Sequence, residues 1–263
     1  MRLIGTQVME RLNGEANMIP FVAFGHSHVV ALARGYDLML QDGGAPPGAF
    51  HYLYSPTFSP VLTGEPDKVA LNSALVDLMA KENCRGVVLS IGGNEHNVLS
   101  ILQLSGRYDF ILGDDPSLPL DEESEIYPEA MIRETLRDRL ERTFREIAAF
   151  RAACTLPLVQ VAAPPPLPRE HVLANPGELL PDPRRRKAIA ADAIRHKVWR
   201  VQQNLYRDTC AALGVTFVVA PPRTRDAAGM LAAEFLGDDA THANAAYGRI
   251  LMAEALRCLG PAD

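Results

Sequence analysis

The run Gly86-Val87-Val88-Leu89-Ser90-Ile91 constrains the fold more than any other stretch of the chain. Both of its alternating faces are apolar, so as a strand it has to be covered on two sides, as strands inside parallel sheets are. Four other short apolar runs also read as strands: Ile19–Phe24, Phe50–Tyr54, Leu156–Val161 and Val215–Val219. Segments with helical periodicity separate them. Val29–Leu40 is the first. Asp67–Lys81 is the second, with Leu71, Leu75, Leu78 and Met79 at helical spacing and Asn83 to end it. Glu129–Arg151 carries the stripe Ile132, Leu136, Leu140, Phe144 and Ile147. A fourth is capped by Asp182 and Pro183 and closed by Gly214, with Ala190, Ile194, Val198, Val201, Leu205 and Ala212 turned inward. The last is Asn244–Leu259. This alternation predicts an α/β fold whose parallel sheet is covered on both faces.

With 263 residues, 48% of them apolar, one sizeable core is the simplest expectation. Residues 1–18 mix charged and apolar positions with no uninterrupted apolar core, and read as an N-terminal extension that is neither signal nor anchor. A single domain is expected over 19–263, interrupted by two excursions. One, near 105–128, holds Asp109, Asp114, Asp115, Asp121, Glu122, Glu123 and Glu125 and has no sustained period, so it is expected to be irregular. The other, near 163–183, opens on Pro164-Pro165-Pro166. The run Arg184-Arg185-Arg186-Lys187 opposes the dipole of the helix that follows and is read as solvated.

A net charge of -6 and a pI near 5.7 leave no basic field, which argues against nucleic acid as a partner. No apolar run approaches the roughly 20 residues of a membrane span. A soluble, cytoplasmic protein is expected, with no cofactor. The cysteines Cys84, Cys154, Cys210 and Cys258 are scattered, without a C-x-x-C pair, and are expected to be reduced, buried thiols.

Three polar clusters fall where strands or loops should return to one edge of the sheet. Gly25-His26-Ser27-His28 follows the first strand, Gly92-Gly93-Asn94-Glu95-His96 follows the third, and Asp239-Ala240-Thr241-His242 precedes the last helix. A serine hydroxyl is a poor nucleophile until a base takes its proton, and an imidazole is suited to that. The imidazole needs a carboxylate to fix its tautomer. Asp239, three residues before His242, lets one turn carry both.

This order of motifs resembles the SGNH (GDSL-type) hydrolases. That family has a serine after the first strand, a glycine after the second, a G-x-N-D after the third and a D-x-x-H before the final helix. Here those positions look like Ser27, Gly64, Asn94, and the pair Asp239 and His242. His26 and Glu95 stand where the family usually has Asp, which marks a divergent branch. The resemblance implies a flavodoxin-like three-layer α/β/α sandwich with a five-stranded parallel sheet. It implies Ser27 as nucleophile, His242 as base, Asp239 as its orienting carboxylate, and an oxyanion hole from Ser27, Gly64 and Asn94. His26, His28, Glu95 and His96 become candidates for supporting these groups.

The expected activity is therefore hydrolysis of a carboxylic ester, with a short acyl group on a small molecule or a glycan. A metal-dependent phosphoesterase is the rival enzyme reading, because His26, His28, His96 and Asp239 are ligand types for a divalent ion. The order of motifs does not suit it, and no metal ligand is assigned. A ligand-binding protein that has lost turnover is the non-enzyme reading, against which the complete Ser, Asn, Asp and His set speaks.

Overall fold

The computed structural model describes residues 20–65, 68–81, 84–103, 106–176 and 188–260. Five strands form its main sheet: β1 (Phe21–Gly25), β2 (Gly48–Tyr52), β5 (Gly86–Ser90), β8 (Leu158–Val161) and β9 (Thr216–Val218). Their order is β2-β1-β5-β8-β9 and every pairing is parallel. The sheet alternation sorts the side chains into two cores. Val22, Phe24, Val87, Leu89 and Leu158 face one side, under α2 (Ser73–Met79), α4 (Glu129–Ala153) and α6 (Asp192–Leu213). Phe21, Ala23, Val88, Val159 and Val161 face the other, under α1 (Val29–Gln41) and α7 (Ala245–Leu259). The result is the expected three-layer α/β/α sandwich. No helix among the described residues is long and apolar enough to cross a membrane.

The connection after β1 runs to β2 on one side and the connection after its neighbour β5 runs to β8 on the other, so strand order reverses between β1 and β5. In open parallel sheets that point is where a crevice opens beyond the carboxyl ends of the strands. The segments after β1 and β5 are the Ser27 and Asn94 clusters.

Glycine sets the distance between α1 and α7. A Cβ on Gly35 would lie 2.0 Å from the Arg249 nitrogen, and one on Gly248 would lie 1.8 Å from the Ala31 carbonyl oxygen. The two helix backbones are in contact, with no side chain between them.

Several local expectations shift. The second strand ends at Tyr52 instead of Tyr54. The helix expected from Asp67 starts at Ser73, because the Asn72 side chain caps it by accepting the Ala74 N–H at 3.0 Å. Just before it, Ala70–Leu71 (β4) pairs with Leu62–Thr63 (β3) as an antiparallel hairpin. That helix ends at Met79; Asp67 and Asn83 lie outside the described residues. The long helix expected from Pro183 starts at Asp192. Ala190 precedes it, and its N–H donates to the Ile101 carbonyl at 3.1 Å. Asp182, Pro183 and the Arg184 to Lys187 run lie outside the described residues, as does the extension 1–18. All four cysteines are free thiols, but Cys258 is exposed and Cys84 only half-buried.

The acidic excursion is more ordered than its composition suggests. Tyr108–Asp109 (β6) and Glu125–Ile126 (β7) pair in parallel. Asp109 is buried and forms an ion pair with the fully buried Lys197 of α6. Lys197 also donates to the carbonyls of Phe110 and Pro119, each at 3.1 Å, while Asp109 accepts the N–H groups of Phe110 and Asp121. Charges taken this far out of water are tolerated only when paired and hydrogen-bonded, as both are here.

The Gly248 contact gives a test in which two effects have opposite signs. Helix propensity alone makes Gly248→Ala stabilising by about 1 kcal/mol. Overpacking against the Ala31 carbonyl should instead cost about 1–3 kcal/mol or more. Denaturant titration should show a lower midpoint at unchanged m-value; a raised midpoint would mean that α1 and α7 do not touch there.

Candidate active site

The site is assembled from three chain reversals. At the end of β1, His26 donates its N–H to the Ser90 carbonyl at 3.0 Å, and its ring Nδ1 accepts the Gly92 N–H at 3.0 Å. One residue thus clamps the end of β1 to the end of β5. Ser27 follows, half-buried, immediately ahead of α1. Neither its N–H nor its hydroxyl takes part in a hydrogen bond among the described residues.

At the end of β5 the chain turns through Gly92 (φ +71°) and Gly93 (φ +106°), a left-handed backbone that favours glycine. A Cβ on Gly93 would crowd Ala163 at 2.8 Å and the His28 ring at 3.2 Å. This double turn starts α3 (Glu95–Ser100) and sets Asn94 beside His28. The Asn94 side-chain oxygen accepts from Asn97 Nδ2 at 3.1 Å. The same amide lies within hydrogen-bonding reach of the His28 ring.

The third reversal precedes α7. Asp239 Oδ2 lies 2.7 Å from His242 Nδ1, and its Oδ1 accepts the N–H groups of Thr241 and His242, each at 2.8 Å. These bonds, with His242 the largest contributor, hold the Asp239 carboxyl well below the usual carboxylate range. Because Nδ1–H donates to Asp239, the other ring nitrogen carries the lone pair; Nε2 is buried and has no partner. The His28 and His242 ring centres are 5.0 Å apart, which brings the turn before α7 against the residue next to Ser27.

Three histidines around the site, His28, His96 and His26, are neutral. Burial, and then the neighbouring His242, push His28 down to about 3, and burial pushes His96 to about 3. Burial, helped by Arg142, lowers His26 to about 4. His96 Nδ1–H donates to the Gly93 carbonyl at 2.8 Å, bracing the glycine turn. Glu95 is ion-paired to Arg139 at 2.8 Å, on the flank of the cluster. Gly64 is exposed in the turn that links β3 to β4, with φ +98° and the Lys68 carbonyl against it. Its own turn accounts for the glycine. No group of three or more His, Cys, Asp or Glu side chains among the described residues is arranged to hold a metal ion. The Nδ1 lone pair of His26, which a metal reading would use, is committed to the Gly92 N–H.

Four supporting residues went unnoticed in the sequence. Asn97 orients Asn94. Gln202 of α6 accepts the His96 N–H at 2.7 Å and donates to the Gly93 carbonyl at 2.9 Å. Tyr54 stacks on His26 with ring centres 4.6 Å apart. His171, on α5 (Arg169–Ala174), donates to the Asp239 carbonyl at 3.2 Å. Asn97 was legible as the i+3 partner of Asn94 once a helix is placed there; a helix-facing glutamine 106 residues away carries no local signal.

No protein-family model matches the chain, and no curated protein matches it. Among solved structures it is similar to a GDSL-like lipase from Bacteroides thetaiotaomicron, at 13% identity over 90% of this chain and 87% of the other, with a TM-score of 0.39. An extracellular lipase from Streptomyces rimosus is 12% identical over 90% and 99% of the two chains, with a TM-score of 0.45. The periplasmic domain of a lipopolysaccharide acetyltransferase from Salmonella ser. Paratyphi A is 10% identical over 92% and 84%, with a TM-score of 0.46. Likeness at this level says nothing about the chemistry of this chain.

The buried neutral imidazoles make the fold sensitive to acid. Their pKa values lie below the roughly 6.5 of an unfolded histidine. Between that value and the folded one the unfolded chain binds protons that the native chain refuses, so stability falls as pH falls. His28→Gln removes about one such proton. The slope of unfolding free energy between about pH 6 and pH 4 should flatten by about 1.4 kcal/mol per pH unit. An unchanged slope in a pH series of urea titrations would mean that native His28 is already protonated.

Proposed function

We propose that this chain is a serine hydrolase that cleaves a carboxylic ester through an acyl-enzyme on Ser27. The observation that carries the reading is the 2.7 Å pair of Asp239 and His242. It leaves Nε2 bare and buried, with the ring set against His28, the residue after Ser27. An imidazole held in that tautomer presents the lone pair that a general base needs. The order of motifs shared with the SGNH hydrolases adds support.

In this reading His242 Nε2 takes the Ser27 proton as Oγ attacks the ester carbonyl carbon, and the carbonyl π electrons move onto the oxygen. Collapse of that oxyanion expels the alcohol, which takes the proton from His242. Water then repeats the sequence on the acyl-enzyme and releases the acid. The Ser27 N–H, free of other partners among the described residues, and the Asn94 NH₂ are the donors assigned to the oxyanion. A contribution from Gly64 rests on the resemblance alone. His28, packed against the His242 ring and neutral, adds no charge that would compete with the base. The substrate is assigned as an ester of a small alcohol or a sugar.

A fluorophosphonate should add to the protein once, as read by intact mass, and the adduct should be absent from Ser27→Ala. Hydrolysis of p-nitrophenyl acetate should vanish with it and survive chelators. Labelling of Ser27→Ala at the wild-type rate would place the nucleophile elsewhere.

The Asn97 bond gives a second test. Asn94→Ala should lower kcat by roughly 100-fold. Asn97→Asp puts a carboxylate against the Asn94 oxygen, so the amide should turn over and donate to it, withdrawing its NH₂ from the oxyanion. We expect kcat to fall toward the Asn94→Ala level with KM little changed, and no further loss when both substitutions are combined. Additive losses would separate Asn97 from the oxyanion hole.

A further inference from the structure

Arg225 lies in a cavity of about 260 Å³ at the carboxyl edge of β9, formed with His196, Asp115, Asp226 and the 227–229 turn. The cavity's lining comes from the acidic excursion, the start of α6 and the loop after β9, and includes none of the residues of the Ser27, Asn94 and His242 turns. The region is built and rigid. Arg225 and Leu231 form a backbone bridge, and Asp226 Oδ1 accepts the N–H groups of Ala228 and Met230, each at 2.9 Å. Gly229 has φ +80°, and a Cβ there would strike the His196 ring at 2.3 Å, so the imidazole lies flat on the turn. His196 Nδ1–H donates to the Gly229 carbonyl at 3.1 Å.

The charges of this cavity do not balance by pairs. Arg200, at its margin, is matched to Asp114 at 3.0 Å and Asp115 at 3.5 Å. Asp226 bonds its own turn through Oδ1 and forms no ion pair with Arg225. Arg225 is half-buried, with its guanidinium carbon 5.8 Å from the ring centre of Trp199, and its Nε is enclosed without a partner. None of the ion pairs among the described residues includes it. Burial and the nearby Arg200 lower its pKa, as expected of a cation short of compensation. Enclosed charges are stable when paired, and a guanidinium fork matches the oxygens of a carboxylate or phosphate. The cavity approaches the size of small-ligand pockets.

We propose that this cavity is an oxyanion-binding site, distinct from the Ser27 crevice, in which Arg225, whose guanidinium lies over the buried Trp199 ring, holds a carboxylate or phosphate group of a small ligand. Asp115 and Asp226 at the rim disfavour multiply charged polyanions, so the ligand is a compact one with a single anionic group. The proposal does not depend on the serine chemistry.

Trp199 is the only tryptophan in the chain, which gives the site its own reporter. Its fluorescence should change saturably on titration with sodium phosphate or sodium acetate, and not with sodium chloride at matched ionic strength. The response should be the same in Ser27→Ala. In Arg225→Gln the affinity should fall about tenfold or more, as for loss of a charge-assisted bond. Arg225→Lys, which keeps the charge and loses the fork, should weaken binding several-fold, and decides the matter if the glutamine variant does not fold. The proposal is overturned by any of three results: no saturable change, a change that chloride reproduces, or affinity equal to wild type in a folded Arg225 variant. Loss of the response in Ser27→Ala would also overturn it, by assigning the anion to the Ser27 crevice.

Discussion

The contact between α1 and α7 is the constraint from which the rest of the site follows. Each helix begins where a candidate functional segment ends: α1 just after Ser27 and His28, α7 just after His242. Their separation is set by Gly35 and Gly248, at which the two backbones touch. A direct backbone contact has no side-chain rotamers through which to relax, and interiors packed to such density transmit displacement instead of absorbing it. The 5.0 Å spacing of the His28 and His242 rings is therefore a property of the helix crossing as much as of the residues in the turns.

On the other side of β1 the same job is done by hydrogen bonds. His26 ties β1 to the end of β5 through its N–H and its ring. Gln160, buried in β8, bonds the Ile91 backbone from below, accepting its N–H at 3.5 Å and donating to its carbonyl at 3.3 Å. Gln202 holds the Gly93 carbonyl from α6. The glycine turn that presents Asn94 is thus braced by β1, β8 and α6, and its strained left-handed backbone can persist because its surroundings over-determine it.

The strands were legible in the sequence because a parallel sheet buried on both faces leaves continuous apolar runs, and β5 is the clearest of them. Ser27 and Asn94 were legible because they sit between a strand end and a helix start, where the change of period marks the place, and Asp239 and His242 because they share one turn ahead of the last helix. Helix starts set by capping were less visible. Asn72 caps α2 by a bond that a stripe of leucines does not announce, so Leu71 was counted as helical when it belongs to the β3–β4 hairpin. The excursion was misjudged for a related reason. Composition showed its acids, but the cation that makes Asp109 structural is on α6, where it reads as one more polar helix residue.

That ion pair also bears on the order in which the molecule assembles. Phe110 and Lys197 are 87 residues apart, and until the later helix is in place Asp109 has no charge to meet in the interior. Desolvating a lone carboxylate is costly, so the excursion gains nothing by closing early. Contacts of such long sequence separation require the intervening loop to be closed before they reward it. The segment should therefore dock only once α6 is in place on the sheet.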